Sequence, residues 1–222
     1  MAEKLPRSRV PKHAVILCHP EPVSFNAAVA KRYCDTVEKL GHEVVLRDLY
    51  RMGFDPVLKA EEQAQSTFVR APDVASELHA IGGADVFVLV YPLWFAMPPA
   101  MLKGYVDRVL GSGFSYHSVH DHERNQLLTG KHLLSFTSSG LSTPWLGEQG
   151  AWVSLRNLFD HYLQRGFSMR SAEHIHFDSI GEGLKKRFVD EHLYGVEQAA
   201  RRICGTIGDG PDTSLGALAP SR

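Results

Sequence analysis

No stretch of this 222-residue chain is both long and apolar. Its apolar runs fall well short of the roughly 18 residues a membrane helix requires. The start Met1-Ala2-Glu3-Lys4-Leu5-Pro6-Arg7-Ser8-Arg9 lacks the apolar segment of an export signal. A soluble, cytoplasmic protein is expected, not one embedded in a membrane. Neither sign of charge is in excess: the formal net charge is −1 and no basic stripe is present. That leaves no electrostatic case for nucleic acid or an anionic membrane as main partner. Cysteine is scarce too. Cys18, Cys34 and Cys204 are odd in number, lack C-x-x-C spacing and sit in apolar or helical contexts. Reduced, buried thiols are expected, with no disulfide and no metal site.

With 44% hydrophobic and 22% charged residues, the chain can bury the core of one domain. Short apolar, β-rich runs recur at Ala14–Cys18, His42–Leu46, Asp85–Tyr91, Lys131–Phe136 and His174–Phe177. Between and after them, Ala27–Leu40, Asp73–Ile81, Ala100–Leu110, Ala151–Arg165 and Leu184–Cys204 carry apolar residues at helical spacing, and Gly41 follows the first where a helix would stop. Five β-α repeats mean an α/β fold with a parallel sheet. Ala14-Val15-Ile16-Leu17 and Val86-Phe87-Val88-Leu89-Val90 are apolar at every position, as central strands require, whereas His42–Asp48 is mixed and suits an edge. Residues 1–12 are expected to be a flexible segment, 13–205 the folded domain and 206–222 a loose tail rich in Gly, Pro and Ser.

In such a sheet ligands bind beyond the carboxyl ends of the strands, which directs attention to three loops. His19-Pro20-Glu21-Pro22-Val23-Ser24-Phe25-Asn26 reads as a strand, a tight loop and a helix start. This junction aims backbone N–H groups and the positive end of a helix dipole at one spot, so it suits a phosphate; an ordinary capped turn is the alternative. Pro92-Leu93-Trp94-Phe95-Ala96 places two adjacent aromatics on a proline-stiffened loop, either a wall for a flat ring or a core pair. Thr137-Ser138-Ser139-Gly140 offers small hydroxyl residues and a glycine that let amides approach a ligand edge. Taken together, the three loops suit one planar cofactor with a phosphorylated tail.

The ordered set of these segments resembles the flavodoxin-like NAD(P)H:quinone oxidoreductases, the family of the mammalian quinone reductases and of bacterial ancillary proteins of potassium-efflux systems. Further matching segments are Asp48–Pro56, Pro99–Gly104, Asp107-Arg108-Val109 and Gly113-Phe114-Ser115-Tyr116. The resemblance implies a flavodoxin-like doubly wound sheet of five parallel strands in the order 2-1-3-4-5. It implies a homodimer carrying FAD, with FMN as the alternative, and NAD(P)H as electron donor to a quinone or similar flat acceptor by two-electron ping-pong hydride transfer. It places His19, Ser24, Phe25 and Asn26 around the flavin phosphate, Pro92, Leu93, Trp94, Phe95 and Ala96 along the ring system, and Thr137, Ser138, Ser139 and Gly140 at the ring edge. Arg187 is similar to a basic residue on the adenosine side, with a solvated Lys/Arg run as the alternative. Tyr116 and Trp145 join Trp94 and Phe95 as candidate walls of the substrate slot, and the Ser139 and Gly140 amides are candidates to stabilise negative charge on the ring.

Departures from the family are informative. The Tyr and His associated with hydride transfer in the mammalian enzymes fall near Trp145 and near Ala151 or Trp152, so no proton-carrying pair is evident; His161 reads as a packing or surface residue. Two other readings follow: a flavin-bound regulatory partner of a membrane antiporter, and a one-electron carrier, against which the near-neutral charge argues.

Overall fold

A computed structural model of the chain describes residues 9–63, 68–121 and 123–208, apart from the Tyr116 side chain. Five parallel strands, β1 (Lys12–Leu17), β2 (Glu43–Asp48), β3 (Val86–Pro92), β4 (His132–Ser138) and β5 (Ser171–Phe177), pair in the order β2-β1-β3-β4-β5. This is the expected doubly wound arrangement. Its register aligns Ala14 with Phe87, Leu89 with Ser135 and Ser135 with His174. β3 and β4 are buried at every position and β1 nearly so, while both edge strands are mixed. The reversal of strand order between β1 and β3 leaves a crevice at their carboxyl ends.

Strand alternation sends side chains to two separate cores. On one face Val15, Leu17, Val88, Val90 and Phe136 pack against α1 (Phe25–Lys39) and α8 (Lys186–Gly208). On the other, Ile16, Phe87, Leu89 and Tyr91 pack against α2 (Pro72–Ile81), α3 (Ala100–Tyr105) and the later helices. Each large apolar side chain fully buried this way contributes about 1.5–3 kcal/mol. α4 (Tyr116–His120) and α5 (Thr143–Glu148) are short and were not evident in the helical spacing.

Two expected helices are interrupted by wider turns. α3 runs into a π-helical turn at Val106–Leu110, and α6 (Ala151–Leu155) reaches α7 (His161–Gly166) through another at Arg156–Asp160. Each π turn carries a buried charged residue: Arg108 in the first, Asp160 in the second. Apolar periodicity does not report such turns, because it fits 3.6 residues per turn throughout.

The Asp48–Pro56 segment folds back onto the core of its own chain. Leu49 and Phe54 are buried in the core, Phe54 meeting Tyr105 edge-on at 5.3 Å. Gly104 lets α3 lie on Pro56, and Arg108 clamps the segment through the Asp55 carbonyl, Glu62 and Asp73.

Candidate functional site

α1 begins as its sequence dictates. Ser24 is the N-cap, its Oγ accepting from the Ala27 amide at 3.1 Å, while the Ala28 amide donates to the Ser24 carbonyl at 3.0 Å. The Phe25 and Asn26 amides belong to the first turn, where a helix supplies no acceptor of its own. They are the donors left to bind an anion, in the field of the helix's positive end. His19 braces the approach, its Nδ1 accepting from the Glu21 amide at 3.1 Å. Arg51 fixes the loop from outside by donating to the Pro20 carbonyl at 2.6 Å.

Two cross-links hold the three loops together. Ser138 Oγ donates to Asn26 Oδ1 at 2.8 Å, both residues being buried, and the Leu93 amide donates to the Ser138 carbonyl at 2.7 Å. Asn26 and Ser138 thus act as a brace between the first and fourth β-α loops, with their side chains already committed to each other. Phe25 is likewise a packing residue, edge-on to Phe177 at 5.3 Å and to His192 at 5.9 Å.

Beyond Pro92, the chain makes a tight reversal. The Trp94 and Met97 amides each donate to the other's carbonyl at 3.0 Å, and the central residues Phe95 and Ala96 have φ of 52° and 60°. This is the geometry of a two-residue turn that favours Asn-Gly, and holding Phe and Ala in it costs about 1–3 kcal/mol per residue. Phe95 is also fully exposed, at 102%, so its ring gains nothing from its own chain. Strained backbone of this kind clusters at ligand-binding and switch regions. Trp94, 41% exposed, stands beside the His19 ring at 6.5 Å between centroids, joining the first loop to the third.

The fourth loop is wired into β5. Ser139 Oγ donates to the Leu141 carbonyl at 2.9 Å and lies 3.1 Å from His176 Nε2. Thr137 Oγ1 lies 2.8 Å from His176 Nδ1 and 2.7 Å from His174 Nε2, and His174 Nδ1 is 2.6 Å from Asp160 Oδ2. Asp160 Oδ1 accepts from Ser135 Oγ at 2.8 Å. These contacts form one continuous hydrogen-bonded line from Asp160 through His174, Thr137 and His176 to Ser139. Burial, then the neighbouring His174, pushes the His176 imidazole down to about 4, consistent with its neutral form here. Trp152 covers both rings, at 4.7 and 5.3 Å.

Thr137 therefore has its hydroxyl turned inward, away from any ligand. The Ser139 amide donates to the Phe177 carbonyl at 3.0 Å, which removes it as a charge stabiliser and leaves the Gly140 amide for that role. Gly140 is not required by close packing, since an added Cβ would meet only the Ile180 carbonyl at 3.7 Å. Trp145 is exposed on α5, and Arg187 is exposed on the first turn of α8 with its guanidinium 4.6 Å from the Phe188 ring centroid; both lie outside the cross-linked set. The Tyr116 side chain lies outside the described residues. His161 is half-buried beside Arg156, a packing position as expected. Asp160, His174 and His176 were missed by sequence reasoning; the available signal was the His-x-His alternation on a strand, two polar residues facing a covered side.

A cleft of about 640 Å³ lined by Phe68, Arg70, Gly83, Phe114 and Lys131 lies toward the opposite, amino-terminal edge of the sheet and is separate from these loops.

Comparison with known proteins agrees with this geometry. The chain is 37% identical over 173 residues to an uncharacterized NAD(P)H oxidoreductase of Haemophilus influenzae, covering 77% of this chain and 83% of that protein. It is 30% identical over 144 residues to the NAD(P)H dehydrogenase (quinone) 1 of Rattus norvegicus, covering 57% of this chain and 53% of the rat protein, so that match spans about half the rat enzyme. Among solved structures, the NAD(P)H:quinone oxidoreductase from Methanothermobacter marburgensis superposes with a TM-score of 0.76 at 24% identity, over 88% of this chain and 96% of that one. An FMN-dependent NADH-azoreductase from Bacillus anthracis, in complex with FMN, gives 0.63 at 19% identity, over 86% and 99%. At those identities the structural likeness speaks for the fold. The family model described as flavodoxin-like fold matches residues 11–198, and the chain belongs to that family.

Proposed function

We propose that the protein is a flavin-dependent NAD(P)H oxidoreductase that reduces quinones or similar flat acceptors in a two-electron ping-pong cycle. The observation that carries this reading is the meeting, at one rim of the sheet, of an anion-ready helix start, a strained turn that bares Phe95 beside Trp94, and the Ser139-Gly140 loop. Relatives named NAD(P)H oxidoreductase and NAD(P)H dehydrogenase (quinone) 1 support it, as does the FMN complex of the structural neighbour.

The residues fit a flavin in the chemistry of their donors: amides and a hydroxyl for phosphate, bare aromatic surface for a flat ring, and an amide for its polar edge. When bound, the flavin supplies hydride acceptance from the nicotinamide and delivery of two electrons to the acceptor. The chain's own residues do the rest. The Phe25 and Asn26 amides hold the phosphate, and FAD, with Arg187 toward its adenosine side, is preferred over FMN. Trp94 and Phe95, with Trp145 as an outer wall, exclude water and orient both substrates in turn. The hydrogen-bonded line from Asp160 through His174, Thr137 and His176 to Ser139 ends beside the loop that meets the ring edge and offers a route for a proton there. It stands in for the proton-carrying pair that the sequence lacks.

Stopped-flow mixing of flavin-loaded protein with NADH and with NADPH tests the reading. Bleaching of the flavin band by at least one nucleotide, followed by recovery when a quinone is added, is expected. A band left unchanged by both contradicts it.

The working unit is proposed to be a homodimer. Leu58, Leu158 and Tyr162 are exposed around an apolar cleft of about 400 Å³, and large exposed apolar patches mark interaction surfaces. Light scattering should return twice the chain mass; a monomer at micromolar concentration would refute this part alone.

A further inference from the structure

At the amino-terminal edge of the sheet, remote from the loops described above, three potential metal ligands from three separate segments converge. His13 on β1 is fully buried, His42 precedes β2 and is half-buried, and Cys204 on α8 is buried with a free thiol. His13 Nε2 lies 3.0 Å from His42 Nδ1 and 3.9 Å from Cys204 Sγ, and all three ligand atoms fall within 4.8 Å of one another. In a tetrahedral zinc sphere, bonds of about 2.0–2.1 Å to nitrogen and 2.3 Å to sulfur put nitrogen pairs about 3.3 Å apart and nitrogen–sulfur pairs about 3.6 Å apart. Two of the three edges are within a few tenths of an ångström of those values. The third closes by rotation of His42, the ligand with room to move.

Tyr33 OH lies 2.8 Å from His13 Nδ1 and is itself buried in α1. With a metal on Nε2, His13 carries its proton on Nδ1, and the Tyr33 oxygen is in place to accept it, a contact of the kind metal-bound histidines make through their second ring nitrogen. Two imidazoles and a thiolate are borderline-to-soft donors, with no carboxylate in the set. That composition selects a Zn²⁺-type ion over Mg²⁺ or Ca²⁺.

We propose that His13, His42 and Cys204 form a mononuclear site for a Zn²⁺-type ion, completed by water on the His42 side, that ties α8 to β1 and to the turn before β2. Binding forms one metal–sulfur and two metal–nitrogen bonds. The His13–His42 hydrogen bond opens, its proton moving to the other ring nitrogen of the imidazole that carried it; the thiol proton is released to solvent, and no electron is transferred. The site is structural, so it stands whether or not the flavin reading does.

The test uses the full-length protein, after chelation and under reducing conditions. Calorimetric titration with Zn²⁺ should give one ion per chain, and Co²⁺ as a probe should give a thiolate-to-metal charge-transfer band. Zn²⁺ at about a hundred times its Kd should raise Tm by about 5–10 °C. Cys204→Ser should abolish the Co²⁺ band, and His42→Ala, a half-buried position tolerant of change, should weaken Zn²⁺ binding at least a hundredfold. Cys34→Ser should leave both unchanged. Absence of the band in the parent protein, or one-to-one Zn²⁺ binding that persists in both Cys204→Ser and His42→Ala, overturns the proposal. Mg²⁺ should not compete, and equal competition would also overturn it.

Discussion

Arg108→Met is expected to lower Tm by roughly 10 °C, the result of losing about 3–5 kcal/mol at about 2–4 °C per kcal/mol in a domain of this size. Arg108 and Glu62 are both buried, their guanidinium and carboxylate 2.7 Å apart. The same guanidinium donates to Asp73 at 2.8 Å and to the Asp55 carbonyl. Methionine fills much of the same volume, so the loss comes chiefly from leaving the Glu62 carboxylate buried without a counter-charge. Adding Glu62→Leu to Arg108→Met should therefore restore most of the lost stability, and a double variant as unstable as the single one would sink this explanation.

The pH dependence has a definite sign. Hydrogen bonds from Arg108 hold the Glu62 and Asp73 carboxyls below their ordinary values of 4.5 and 3.8. A depressed carboxyl stabilises the fold above its unfolded pKa and loses that contribution as pH falls through the folded value. The Tm gap between parent and Arg108→Met should accordingly be full near neutrality and narrow below about pH 4.5, the upper end of the carboxylate range. Asp73 is half exposed and screened by solvent, so Glu62 carries most of the effect.

Gly104→Ala should be nearly as damaging. A Cβ there would lie 2.2 Å from the Pro56 carbonyl oxygen, 2.4 Å from its Cβ and 2.5 Å from its Cα. Neither a proline nor a helix backbone can swing aside as a flexible side chain would. Overpacking at the upper end of its usual range, about 3 kcal/mol or more, outweighs the roughly 1 kcal/mol that alanine gains over glycine in a helix. Tm should fall by about 5–10 °C. The displaced α3 would also pull on the Trp94–Met97 turn just before it, so flavin affinity should fall together with stability. Gly195→Ala on α8, where an added Cβ meets nothing within 4 Å, should be neutral or stabilising by up to about 1 kcal/mol. Matching Tm changes at the two glycines would contradict the close approach of α3 to Pro56.

Much of the fold was legible in the chain because its pattern is binary. Strands apolar at every position, such as Val86–Val90, can only be central, and the mixed His42–Asp48 run can only be an edge. The position of the site followed from topology, since the loops after β1, β3 and β4 leave the same rim. Side-chain roles were harder to read. Ser138 and Asn26 look like ligand-contacting residues in sequence because short polar groups serve equally well as donors and as braces; only their mutual 2.8 Å contact separates the two uses. The turn at Phe95 and Ala96 was hidden because residues that rarely adopt positive φ carry no turn signal. The π turns were hidden by their helical apolar spacing, and with them Asp160. The line from Asp160 through His174, Thr137 and His176 to Ser139 joins residues up to 39 positions apart and depends on β5 pairing with β4 in one register. Local sequence says nothing of that register.

The central claim is that main-chain donors at the start of α1 and the bare aromatic turn at Phe95 hold a flavin at the rim of the sheet. Titration of the purified, chelator-treated protein with FAD and with FMN, followed by quenching of flavin fluorescence, tests it most directly. Saturation at one flavin per chain is predicted, with affinity at least tenfold weaker in Phe95→Ala. Fluorescence that stays unquenched by either flavin at protein concentrations up to tens of micromolar would contradict the account.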